Sequence, residues 1–266
     1  MTLGDSVPWG FFVENTMLQL CNAFTLDFET TGIDPKEAKP IEFAVVSSTG
    51  EVACNTLLDP EVEIPPETSA VHHITDEDVL GAPKWWEYRT WLREFCGVFE
   101  VVDGEMVATT ILVAHNAEYE KGILGDVSDF NCHWICTYKC ALIVWPDAPS
   151  HKNEVLRYWL CLGDNRGRNS NQQPHSALHD CQVTMLILHE LLKHATLEQL
   201  VEWSKLPKQF PVVPFGKHHG KKWSDPVVDY GYLKWMTNQP DMDEDVKICA
   251  KKEIERRYSS ATKGSR

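Results

Sequence analysis

Three strand-like runs come before the first helical pattern, and this order constrains the fold more than any other feature of the chain. Residues 23–29 (AFTLDFE), 40–47 (PIEFAVVS) and 52–58 (VACNTLL) are apolar and β-prone, and Ser48, Thr49 and Gly50 supply a turn between the second and third. An early meander of this kind forms one side of a sheet. Strand-like and helix-like segments then alternate. An amphipathic helix is predicted over 84–100, a strand over 110–115, a helix from Ala117, and a short strand over 133–137 followed by a helix through Val144. Further helices are predicted over 153–162 and 175–194. Residues 60–83 are Pro- and acid-rich and read as mostly irregular, and 163–174 (GDNRGRNSNQQP) read as a polar surface loop. Strands first, then alternation, imply an α/β layer fold. Pro207, Pro211 and Pro214 mark a boundary. The expected organisation is a main domain over 1–204 and a small α+β unit over 205–266, opening with a hairpin around FGKHHGKKW and ending in two helices.

The formal net charge of −14 argues against a simple electrostatic coat for nucleic acid. The charge is uneven: residues 1–200 carry 12 Lys and Arg against 30 Asp and Glu, whereas residues 201–266 carry 13 against 9. An acidic body can hold cations and a basic tail can touch phosphate, although an acidic protein with a solvated basic end has the same balance. Nine cysteines without a CxxC pair read as free thiols in a reducing compartment, and Cys132, Cys136 and Cys140 lack familiar zinc spacing. The first twenty residues contain no Lys or Arg and hold Asp5 and Glu14, a poor signal peptide. No apolar run approaches the ~20 residues of a membrane helix, so the expected location is cytoplasmic, with no membrane partner.

Three segments carry the chemistry. In Asp27-Phe28-Glu29, strand alternation points both carboxylates to one face, where they repel unless a divalent cation lies between them. On its own the pair also suits the solvent face of an edge strand. In VAHNAEYEKGIL, residues 113–124, a strand delivers His115 and Asn116 to its end and Glu120 falls about one turn into a helix. Helix dipoles favour acids there without any function. In His175-Ser176-Ala177-Leu178-His179-Asp180, the first His precedes the long helix and the Asp lies within it. All three place acids at strand ends or first helical turns, where α/β sheets build their sites. A fourth segment, VHHITDEDV over 71–79, says little by itself.

DFETTG, HNAEYE and HSALHD together resemble the three motifs of the DEDDh 3′–5′ exonucleases, and AVHHITDEDV resembles that family's substrate-side segment. PFGKHHGK and GYLKWM extend the resemblance toward a DNA-acting subgroup, and the whole runs from about residue 23 to about residue 237. The resemblance implies a ribonuclease H-like mixed sheet flanked by helices, and hydrolysis of DNA from its 3′ end to mononucleotides. It implies two Mg²⁺ or Mn²⁺ ions, which in such sites lie roughly 3.5–4 Å apart. Asp27, Glu29 and Asp180 take the places of metal ligands, His175 that of the general base, and Glu120 that of an acid acting through water. Glu120 departs from the family's Asp by one methylene. His72 and Ile74 match positions lining the terminal-nucleotide pocket, with Thr30 and Asn116 expected nearby. In the tail, Lys205, Lys208, Lys217, Lys221 and Lys222 occur without an acid between 205 and 222, and Phe215 and Trp223 flank lysines as stacking candidates. Phe215, Lys217 and Lys221 are the tail residues expected to touch substrate. The partner is DNA with a 3′ end, single-stranded or at a duplex end. The alternatives are an RNA-trimming enzyme of the same fold and a catalytically impaired nucleic-acid-binding module. The oligomeric state is open, a homodimer included.

Overall fold

The computed structural model describes residues 22–97, 99–102, 105–163 and 175–263. The first twenty residues and nearly all of the expected 163–174 loop lie outside these residues. The chain forms β1 (Ala23–Thr30), β2 (Pro40–Ser47) and β3 (Val52–Leu57), then α1 (Pro66–His72) and α2 (Trp85–Phe95). There follow β4 (Phe99–Val102), β5 (Glu105–Ala108), β6 (Ile111–Ala114), α3 (Glu118–Leu124), β7 (His133–Cys136) and α4 (Thr137–Val144). The remaining helices are α5 (Asn153–Trp159), α6 (Ala177–Leu191), α7 (Leu197–Lys205), α8 (Tyr230–Asn238) and α9 (Glu244–Lys263).

The main sheet has the order β3-β2-β1-β6-β7. The meander strands pair antiparallel, whereas β1–β6 and β6–β7 pair parallel, so the sheet is mixed. Every residue of β2 is buried, as expected of a strand covered on both faces. One face carries α2 and α3 over Leu26, Phe28, Phe43 and Val45. The other carries α4, α5, α6 and α7 over Ala23, Ile111, Val113 and Ile135. Alternation along β1 therefore sends Leu26 and Phe28 into one core and leaves Asp27 and Glu29 facing α6. The helix α6 is fixed to β2 through a buried cluster of Ala44, Val46, Ala177 and Cys181, and the Cys181 thiol donates to the Ala44 carbonyl at 3.4 Å.

Three expectations change. Residues 66–72 are helical rather than irregular: Pro66 at the first helical turn has no N–H to lose and its φ is preset. The predicted helix over 84–100 stops at Phe95, and a two-stranded hairpin, β4–β5, follows. The aromatic residues of α2 are structural. Phe28 stacks on Phe43 at 4.9 Å, Trp85 meets Phe28 edge-on at 5.0 Å, and Trp91 stacks on Phe95 at 5.0 Å. The tail keeps its two helices around a separate cluster of Val213, Trp223, Val228, Leu233, Met236, Val246, Cys249 and Ala250. Its expected hairpin reduces to one antiparallel bridge, Val212–Lys222, enclosing a 3-10 turn at Gly216–His218. Among the described residues no helix is long and apolar enough to cross a membrane, and the cysteines are free thiols.

Candidate active site

Asp27 and Glu29 leave β1 on the α6 side, and Asp180 comes from the first turn of α6. One carboxylate oxygen from each lies within 4.8 Å of those of the other two. Glu120, in the first turn of α3, is 3% exposed, and its Oε2 is buried without a hydrogen-bond partner. Burial, then the charges of Asp180, Glu120, Glu29 and Glu42, raises the Asp27 pKa well above the usual carboxylate range. Burial, then Asp180 and Glu42, pushes Glu29 up to about 8. Burial also pushes Glu120 up to about 8, and it raises Asp180. No Lys or Arg among the described residues neutralises the cluster. A compact, desolvated set of hard oxygen donors with one orphaned oxygen fits a hard divalent cation. The four acids read from the sequence are thus brought to one place.

His175 is exposed and sits two residues ahead of α6 with φ of +64°, the left-handed region that a non-glycine residue rarely adopts. Its charge reaches both Asp180 and His72. His72 is buried at the end of α1. Its Nδ1 accepts from the Ile74 N–H at 3.0 Å, which leaves Nε2 to carry the proton, and Nε2 is buried without a partner. Burial, then His73 and His175, lowers its pKa, so the ring is a neutral donor. Ile74 packs into a small core with Ile41, Ile64 and Val79. Asn116 also has a positive φ, +75°, where β6 breaks into α3. The Thr30 hydroxyl is tied to the Gly32 carbonyl at 2.8 Å and to the Tyr119 hydroxyl at 2.5 Å. His115 is held by Thr137 and the His151 carbonyl, and burial lowers its pKa to about 4. Gly122 lets α3 approach the loop after β1, because a Cβ there would lie 2.7 Å from the Pro35 ring. In the tail, Phe215, Lys217 and Lys221 are exposed. Trp223 is not the expected stacking residue: it is buried, and its indole N–H donates to the Phe210 carbonyl at 2.7 Å.

Sequence reasoning missed Glu42. It lies opposite Glu29 in the β1–β2 register, and its Oε2 accepts the Ala177 N–H at 2.9 Å. Its signal was present: one acid in an otherwise apolar, fully buried strand is rarely there without a partner. Also missed was His179, whose Nε2 lies 2.7 Å from Glu154 Oε1 beside Asp180. Nothing in the sequence joins these two residues.

The profile of the exonuclease (RNase_T) family matches residues 24–188. Exodeoxyribonuclease 10 of Escherichia coli strain K12 is 27% identical over 238 residues, covering 86% of this chain and 97% of its own. DNA polymerase III subunit epsilon of Treponema pallidum strain Nichols is 28% identical over 182 residues, covering 65% of this chain and 77% of its own. A solved structure of exonuclease X, in complex with 5′-overhanging duplex DNA, superposes with a TM-score of 0.54 at 24% identity, covering 68% of this chain and 99% of that one. That likeness extends to the five-stranded mixed sheet and its flanking helices. The chain belongs to the DEDD-type exonuclease family.

Proposed function

We propose that this exonuclease hydrolyses DNA from the 3′ end, releasing mononucleotides, with divalent cations at the Asp27–Glu29–Asp180–Glu120 cluster and His175 as general base. The observation that carries the reading is the cluster itself: carboxylates converge in a desolvated pocket where, among the described residues, no lysine or arginine offsets them. Mg²⁺ or Mn²⁺ ions held there would supply the charge that acidifies water and offsets charge on the leaving oxygen. Asp27, Glu29 and Asp180 hold and orient; Glu120 contributes charge from behind them. His175 is the exposed base and takes a proton through its ring. Its backbone lies outside the helix, so the ring can move while Asp180 stays fixed. His72 offers its Nε2–H, and Ile74, Thr30 and Asn116 form the wall where a terminal nucleotide would rest.

DNA is favoured over RNA because the relative matched over 97% of its length is named an exodeoxyribonuclease. The test is digestion of matched DNA and RNA strands side by side. Faster loss of the DNA strand supports the reading. Faster loss of RNA moves the substrate to that class, where a 2′-hydroxyl is recognised.

A further inference from the structure

The C-terminal unit presents a face that its own packing does not explain. The helix α8 buries Leu233 and Met236 and turns Tyr230, Lys234 and Trp235 outward. Tyr232 joins this face to the 3-10 turn: its ring meets His218 edge-on at 4.6 Å and lies tilted to Trp235 at 5.5 Å. Gly216 makes that contact possible. Its φ is +77°, and a Cβ there would lie 2.8 Å from the Tyr232 hydroxyl oxygen. The turn thereby seats Phe215 and Lys217 beside the α8 face. Phe215 is 42% exposed, Trp235 48% and Tyr230 54%. Half-exposed rings gathered on one face mark a contact surface.

The charges select the partner. Lys205 pairs with Glu202, and Lys208 with Asp245. Lys217, Lys221 and Lys234, by contrast, make no close ion pair among the described residues, although the Lys217 charge reaches Asp229. Of the nearby acids, Asp229 caps α8 through the Tyr232 N–H, and Asp225 accepts from the Val227 N–H. Bare lysines around a face repel a second copy of the same face. Flat rings interleaved with cations fit a polyanion whose bases are free to stack.

We propose that Phe215, Tyr230 and Trp235, with Lys217, Lys221 and Lys234, form a surface for single-stranded DNA, on which bases stack while lysines take phosphates. The proposal deepens the nuclease reading and rests on it for the choice of DNA, but its test needs no turnover. Full-length protein in EDTA is titrated into a fluorescein-labelled oligo-dT strand and followed by anisotropy. Trp235→Ala and Phe215→Ala are each expected to weaken binding on the order of 10-fold. Lys217→Ala with Lys221→Ala is expected to lower the slope of log Kd against log salt by roughly 1.4. Affinity within about twofold of wild type in both aromatic variants overturns the proposal. So does a dimer of the wild type that Trp235→Ala dissolves, which gives the face to a second copy. Binding that depends on Trp235 in a protein that hydrolyses nothing in Mg²⁺ upholds the surface and sinks the nuclease reading instead.

Discussion

Glu42 joins β2 to the start of α6 beside the clustered acids. Its carboxylate reaches from β2 to the first N–H of α6, where the helix dipole favours negative charge. It thereby holds the point at which the His175 lead-in becomes the Asp180 helix. Glu42→Gln retains an acceptor oxygen; Glu42→Ala does not. The alanine variant is expected to need at least several-fold more Mn²⁺ for half-maximal thermal stabilisation, with the glutamine variant nearer wild type. Equal midpoints in all three proteins would leave Glu42 an ordinary buried acid. His175→Ala is expected to lower kcat by roughly 10²–10⁴ with little change in DNA affinity, as measured by single-turnover kinetics beside equilibrium binding. Loss of affinity of the same size would contradict its role as base. Glu120→Asp restores the length of the family's acid. It is expected to change kcat by less than about tenfold, since the proposed role of this group is through water. A larger gain would mean that the native glutamate impairs the site.

At the scale of elements, β1, α3 and α6 carry the clustered acids and β2 braces them, and all four elements were legible. Alternation along AFTLDFE placed Asp27 and Glu29 on one face, and the apolar period of 175–194 located the helix under Asp180. What was hidden depends on tertiary pairing. That Glu29 lies opposite Glu42 follows from strand register, and that Glu154 faces His179 follows from the packing of α5 on α6. No local pattern encodes either. Another miss had a local signal that was outweighed: Pro65-Pro66 announces the start of α1. Trp223 flanks the lysines in sequence, which suggests stacking on bases; only the fold shows its indole turned inward. The aromatic layer between β1, β2 and α2 should be the least tolerant region of the main sheet. Phe43 is fully buried and touches Phe28, Trp85, Tyr88 and Trp91. Phe43→Ala is expected to cost about 3–5 kcal/mol in chemical denaturation. A loss below about 1 kcal/mol would show that the layer collapses freely around the gap.

Across the whole molecule, the acidic cluster makes stability depend on pH in a specific direction. Glu29 and Glu120 are pushed up to about 8, and Asp27 and Asp180 are also raised. An unfolded chain releases these protons near pH 4, so between there and about 8 the folded protein holds more protons, and stability falls as pH rises. In EDTA the Tm should therefore drop from pH 5 to pH 8, and stabilisation by Mn²⁺ should be larger at pH 8. We further propose that residues 205–266 act as a separate unit, since they have their own buried cluster. Their deletion is expected to raise KM on DNA more than it lowers kcat. Unchanged kinetics would remove the unit from substrate handling. The central claim is met most directly by digesting a DNA strand labelled at its 5′ end, in Mg²⁺, in EDTA and with Asp27→Ala. A ladder that shortens from the 3′ end, and disappears with chelator and with the substitution, is the expected result. Cleavage that survives EDTA or Asp27→Ala, or no cleavage in Mg²⁺ or Mn²⁺ with DNA binding intact, would contradict it.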